Sequence, residues 1–427
     1  MSIGDRLRGL RLDPTPWRQS RDFRILWAAG TAFYLGGMVG YVAIPFQIYR
    51  LTRSNLAVGA VGLVELVPLV VFGLWGGALA DHVDRRRLLV VTGVAQAVLT
   101  AVLAANAFLA TPRVWVIFVV SAFLSAASAL QRPSREALLP RTVDHDQIPA
   151  ANALAGLGMS IGTFLGPTIG GLLVASVGAG WCFVVEVAGL VVASAFYGSM
   201  GSYPHRGETT PPSIAAVTEG IRYAASRRDL LGTYVVDIVC MILAMPVVLF
   251  PALAEKIFGQ PHLLGLLYTA ETVGAALAGA LSGWVASVHH HGRAVVLAAA
   301  AYGGFIALAG VSPTIWVALG FLALAGAADE VSGIFRQTVW NQTIPESMRG
   351  RLAGIEMLSY SAGPLGGQVR SGFVADKWSV RGSITSGGVL CVGGVALTAL
   401  WLRSFWAYDA RTDPYAVAER VARTGGS

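Results

Sequence analysis

Twelve apolar runs of membrane-crossing length, separated by short charged or Pro/Gly-rich breaks, set the terms for this chain. A crossing needs about 20 predominantly apolar residues, and the runs occupy nearly all of the 427. Inside hydrocarbon a backbone amide has no water to bond, so such a run has no better option than a helix. Composition agrees: the chain is 55% hydrophobic and 13% charged, against roughly a quarter charged in soluble domains. The expected fold is an all-α polytopic membrane protein.

Charge gives the orientation. The net charge of +7 does not gather into a nucleic-acid-binding patch, because the arginines are scattered through short breaks. They cluster before the first span, at Arg85–Arg87, at Arg132, Arg135 and Arg141, at Arg222, Arg227 and Arg228, and at Arg349 and Arg351. The alternate breaks hold far fewer, so both termini are expected in the cytoplasm. Residues 3–12 read either as a short helix on the inner leaflet or as a basic tail. Cys182, Cys240 and Cys391 all fall in apolar runs, which argues against a disulfide framework. No apolar segment with a small-residue cleavage site precedes the first span, so no cleaved signal peptide is expected.

Within the fifth run, Gly158, Gly162, Gly166 and Gly170 recur every fourth residue, with Pro167 among them. On a helix this spacing makes one smooth face that another backbone can approach closely. The proline removes an amide donor and bends the helix. The pattern returns at Ser359, Gly363, Gly367 and Ser371, with Pro364 again directly after a glycine of the ladder.

Other features repeat as well. Gly77 and Gly283, and Arg87 and Arg293, lie 206 residues apart, and Pro140 and Pro345 lie 205 apart. The ladders are offset by 197, so the first-half connector is the longer one. The expected architecture is twelve transmembrane helices in two six-helix pseudo-symmetric halves, residues 1–200 and 230–404. A central cytoplasmic loop at 201–229, with an amphipathic helix near 214–228, would join them, and 405–427 would form a cytoplasmic tail. Spans 7 and 8 are expected at 230–252 and 263–286.

The stretch GGALADHVDRRR (76–87) resembles the loop between spans 2 and 3 of major facilitator superfamily transporters, a Gly-x-x-x-Asp followed by basic residues. Gly77, Asp81, Arg85 and Arg86 match; His82 replaces the usual first basic residue, and Asp84 stands where many members have glycine. The resemblance implies the major facilitator fold, rocking-type alternating access and a cytoplasmic gate at these four residues. GTFLGPTIGG is similar to the Gly-Pro motif in span 5 of the exporting, proton-coupled branches. VAIPFQIYRLTRSNLAVG (42–59), VLFPALAEKIFG (248–259), LLYTAETVGAALAGALSG (266–283) and NQTIPESMRGRLAG (341–354) together resemble the enterobactin-exporter branch, which secretes siderophores and also contains drug efflux pumps. One departure is that span 4 carries no arginine in its interior; Arg132 and Arg135 stand at its cytoplasmic end.

A charge at mid-bilayer costs about 2.5–3.5 kcal/mol, so acids inside the spans are candidates for function. They are Glu65, Glu186, Asp237, Glu271, Asp329 and Glu330. Glu65 and Glu271 share the 206-residue offset and are expected to face each other across the pathway, binding protons or substrate. Asp329 and Glu330 point about 100° apart on a helix, so one at most should reach a cavity. Trp27 reads as an interfacial anchor that could instead line the cavity.

All seven histidines fall in expected loops or tails, so neither a metal site nor haem is expected. No phosphate-cradling Gly-rich Lys loop appears, and no nucleophile–base pair lies in the spans. The expected partners are a small-molecule substrate, protons and the lipid bilayer, with no cofactor, no nucleic acid and a monomeric state. The function expected is siderophore export, with multidrug efflux or an uncoupled facilitator or flippase as rivals.

Overall fold

The computed structural model describes residues 13–203 and 214–424, without the side chains of 74–82, 214–217, 220, 221, 346, 347, 349–351, 353–361 and 422–424. The basic stretch 3–12, Ser359 of the second ladder, and Gly77 and Asp81 of the expected gate therefore lie outside the described residues.

Among the described residues every regular element is helical. The long helices are α1 (Arg21–Thr52), α2 (Asn55–His82), α3 (Arg85–Ala107), α4 (Val114–Leu138), α5 (Ile148–Ser176) and α6 (Ala179–Gly198). After α7 (Ile214–Ser226) come α8 (Arg228–Leu243), α9 (Leu264–Ala280), α10 (His291–Val311), α11 (Ile315–Thr343), α12 (Glu346–Lys377), α13 (Val380–Trp401) and α14 (Pro414–Thr424). Eleven helical stretches among the described residues are long and apolar enough to cross a membrane. The chain is thus an all-α polytopic membrane protein. The eleventh of the twelve expected spans, α12, is 32 residues long but too polar to join those eleven by composition.

The described residues fall into two compact units. One holds the chain through Gln47 and from Val67 to Tyr203; the other holds Ile48–Leu66 and everything from Ile214 onward. In the first unit α3 packs against α4 and α6. In the second, the corresponding α10 packs against α11 and α13. The internal repeat of the sequence is therefore a repeat of packing.

The glycine ladders find equivalent partners. Gly158 faces Trp27 and Thr31 of α1, Gly162 faces Tyr34 and Leu35, and Gly170 faces Val39 and Val42. A β-carbon on Gly162 would sit 2.6 Å from the Tyr34 Cβ and 2.8 Å from the Leu35 amide nitrogen, inside any tolerable contact. In the second unit Gly363 and Gly367 of α12 face Met241 and Met245, in and just beyond α8. Ser371 continues that ladder by donating from its hydroxyl to the Met245 carbonyl at 2.7 Å. The other side of α12 holds the start of α2. There the Asp376 carboxylate accepts hydrogen bonds from the Asn55 and Leu56 amides at 2.8 and 3.0 Å and from the Ser54 hydroxyl at 2.5 Å. A carboxylate at a helix N-terminus satisfies orphan donors and meets the positive end of the dipole.

Span 7 departs from the expected single helix. It breaks after Leu243, and the chain continues through a 3₁₀ turn (Val247–Leu249), a helical turn (Phe250–Ala252) and a π turn (Leu253–Ile257). Pro246 supplies no amide, and a residue before proline avoids the helical region. The carbonyls this leaves are met by side chains: Tyr302 donates to Ala244 at 3.1 Å, and Ser371 to Met245. Irregular backbone survives at membrane depth only when such partners exist. Span 8 also ends earlier than expected, with α9 stopping at Ala280 and a 3₁₀ stretch running over Ser282–Ser287.

The C-terminal segment is folded onto the second unit. Phe405 is fully buried, and Tyr408 and Ala410 pack against Val339 of α11. The buried Arg227–Asp229 pair (2.5 Å) anchors this corner, with the Arg227 guanidinium 3.3 Å from the centre of the Tyr415 ring in α14.

Candidate functional site

In the second unit the polar centre is an arginine between two acids. Asp237, on α8, is 7% exposed and ion-pairs with Arg336 of α11. The other guanidinium nitrogen of Arg336 lies 3.8 Å from Asp329, whose side chain is 42% exposed. One acid is thus sealed in the packing and one open, and both lie within reach of Arg336. Arg336 was not among the residues expected from sequence. The signal was available: Asp329 and Arg336 are seven residues apart, which on a helix is two turns along one face.

The other candidate acids scatter. The Glu271 backbone lies against Gly326 of α11, and its Oε1 is buried with no hydrogen-bond partner among the described residues. Glu330 turns toward Gly279 of α9 rather than toward Arg336. Glu65 is half-buried on the part of α2 that belongs to the second unit. Glu186, in the first unit, lies over Gly40 of α1, and its Oε2 is likewise buried without a partner among the described residues.

The first unit contains a cavity of about 330 Å³ between α1, α4 and α5. Trp27, Thr31, Tyr34, Arg135, Asn152 and Met159 line it. The Trp27 indole donates to the Leu154 carbonyl at 2.7 Å and meets Trp17 edge-on at 4.7 Å, so its ring is fixed. Arg135 donates to the Tyr34 hydroxyl at 2.7 Å and lies over the Tyr34 ring, 4.6 Å from its centroid. Because α4 runs on to Leu138, Arg135 belongs to the helix and not to a loop beyond it.

Of the expected cytoplasmic gate, Arg85 and Arg86 are described. Arg85 donates to the Ala137 carbonyl at 3.1 Å, and Arg86 donates to the Gly198 carbonyl. Each satisfies the last turn of a helix whose dipole is negative there. Asp84, which departs from the resembled motif, caps α3 by accepting from the Arg87 amide at 3.1 Å. It also accepts from the Tyr203 amide at 3.1 Å and from the Ser202 hydroxyl.

Two of the described histidines expected in loops or tails fall in long helices, and His82 closes α2. His291 is not in a loop: it opens α10, is 4% exposed and contacts the Val288 carbonyl at 3.0 Å. Among the described residues no three His, Cys, Asp or Glu side chains gather as metal ligands would. All three cysteines are free and buried, with the Cys391 and Cys240 sulfurs 3.4 Å apart.

A family model described as transmembrane secretion effector, within the major facilitator superfamily, matches residues 14–424. The chain belongs to that family. Among curated proteins, this chain is similar to the enterobactin exporter EntS of Shigella boydii serotype 18, at 26% identity over 368 residues. That alignment covers 85% of this chain and 88% of the relative. EntS of Escherichia coli O1:K1 matches with the same identity and coverage. Among solved structures, the nucleoside transporter NupG superposes with a TM-score of 0.70 at 13% identity, covering 91% of this chain and 98% of the other. At that identity the likeness speaks for the fold alone.

Proposed function

We infer that this chain is a secondary active exporter of the inner membrane, moving a siderophore-class small molecule out of the cytoplasm by alternating access. The observation that carries this reading is the similarity to enterobactin exporters along 85% of the chain. Both termini are cytoplasmic in this reading, and the protein acts as a monomer, its arginine-rich breaks lying on the inner side.

Protons supply the drive. Arg336 is shared by a sealed acid, Asp237, and an open one, Asp329. A proton arriving on Asp329 removes one of the two carboxylate charges that the described residues place near Arg336, and its departure restores it. Each proton entering down 100 mV releases about 2.3 kcal/mol, enough for a roughly fifty-fold gradient of a neutral substrate. Glu65 and Glu271, related by the sequence repeat, form the second candidate pair for proton or substrate binding.

The test is mass spectrometry of medium and cell contents from a deletion strain of the native host grown without iron. A siderophore lost from the medium and accumulated inside, restored by the intact gene, supports the reading. An unchanged siderophore profile with new drug susceptibility would replace it with drug efflux.

A further inference from the structure

Among the described residues that line the cavity of the first unit, Arg135 is the cation and Glu136 the carboxylate. Glu136 on its rim is paired with Arg132 at 2.8 Å. Arg135 has no carboxylate within ion-pair distance among the described residues; its bonded partner is the neutral Tyr34 hydroxyl. A half-buried guanidinium keeps unused planar donors there, held over a ring whose position is set by helix packing. Beside it stands an indole already fixed by its bond to Leu154. At about 330 Å³ the space is at the small end for ligand pockets, suited to a single aromatic ring.

From this geometry we propose that the cavity is a binding subsite for an anionic aryl group, an aromatic ring bearing a carboxylate or an ionised phenol. Arg135 is its charge partner and Trp27 its stacking surface. A guanidinium fork matches a planar oxyanion through two parallel bonds, which a lysine cannot reproduce. Ring stacking on indole adds selectivity for aryl over alkyl acids. The assignment rests on the exporter reading for its biological meaning and names the part of the substrate that the first unit grips.

The experiment uses the full chain in lipid nanodiscs and isothermal titration with three probes: salicylate, benzyl alcohol and tetraphenylphosphonium. Salicylate should bind the wild type, weaken at least about tenfold in Arg135→Gln, and recover only partly in Arg135→Lys. Benzyl alcohol should be indifferent to all changes at Arg135. Should Arg135→Gln fail to fold, Tyr34→Phe, which keeps the charge but frees the guanidinium, should weaken salicylate by a smaller factor. Unchanged salicylate affinity in these variants, or tetraphenylphosphonium binding that needs Arg135, overturns the proposal. Siderophore secretion by the complemented deletion strain separates the two readings. Secretion restored equally by Arg135→Gln removes the subsite and leaves the exporter. Secretion independent of the gene, with Arg135-dependent salicylate binding, removes the exporter and leaves the anion site.

Discussion

At the scale of single residues, charges that have lost their water decide the behaviour. The Asp237–Arg336 pair is almost sealed, and stripping one partner from a buried pair costs about 3–5 kcal/mol because the other charge remains. Asp237→Asn and Arg336→Gln should each lower the thermal midpoint in detergent markedly. The double variant should cost clearly less than their sum, whereas additivity would show that the two side chains act independently. Asp84 gives a pH signature. Partial burial alone would raise its carboxyl pKa, but the hydrogen bonds from Ser202, Arg87 and Tyr203 outweigh burial and hold it below the usual range. A depressed value stabilises the fold above the unfolded pKa of about 3.9, and that contribution is lost as pH falls through the folded value. Unfolding followed from pH 7 down to pH 3 should show acid destabilisation that Asp84→Ala reduces.

At the scale of helices, close approach matters more than helix propensity. The spacing of Gly158, Gly162, Gly166 and Gly170 announced a packing face, and α1 occupies it. Gly162→Ala pushes a methyl group into Tyr34, the residue that carries Arg135. Transport should therefore fall several-fold in that variant, while Gly393→Ala, with open space around it, should be silent; initial rates in vesicles check both. The break in span 7 makes a second prediction. Ser371→Ala leaves the Met245 carbonyl without its donor, which should cost about 1–3 kcal/mol of stability by thermal unfolding. Asp376→Ala removes the cap on α2, worth about 0.5–2 kcal/mol. Hydrogen exchange at Asn55 and Leu56 should rise with it.

At the scale of the whole molecule, periodicity and spacing read more safely than interruptions do. Apolar length placed the spans because hydrocarbon thickness leaves little choice, and the 206-residue offset already contained the repeated packing of α3 and α10. The break at Pro246 was hidden because Leu243–Ala254 is apolar on both sides of it; hydropathy reports solvent preference, not hydrogen bonding. Arg336 was hidden for a related reason. An arginine near the end of an apolar run looks like a topology signal until a tertiary contact supplies its acid. The docked C-terminal segment, with Phe405 sealed and Tyr415 on Arg227, was hidden because its polar residues cover a corner rather than a core. The seven-residue spacing of Asp329 and Arg336 shows that a helical-face test applied to every charge would have recovered part of the site.

In the function proposed above, this chain exports a siderophore-class molecule against its gradient at the expense of protons. Inside-out membrane vesicles from iron-starved cells test it directly, with uptake of the native siderophore followed under an imposed acid-inside pH gradient. Uptake should be concentrative, disappear when an uncoupler collapses the gradient, and fall to background in Arg336→Gln vesicles containing equal amounts of folded protein. Uptake that continues unchanged after uncoupling, or that matches vesicles lacking the protein, would contradict the account.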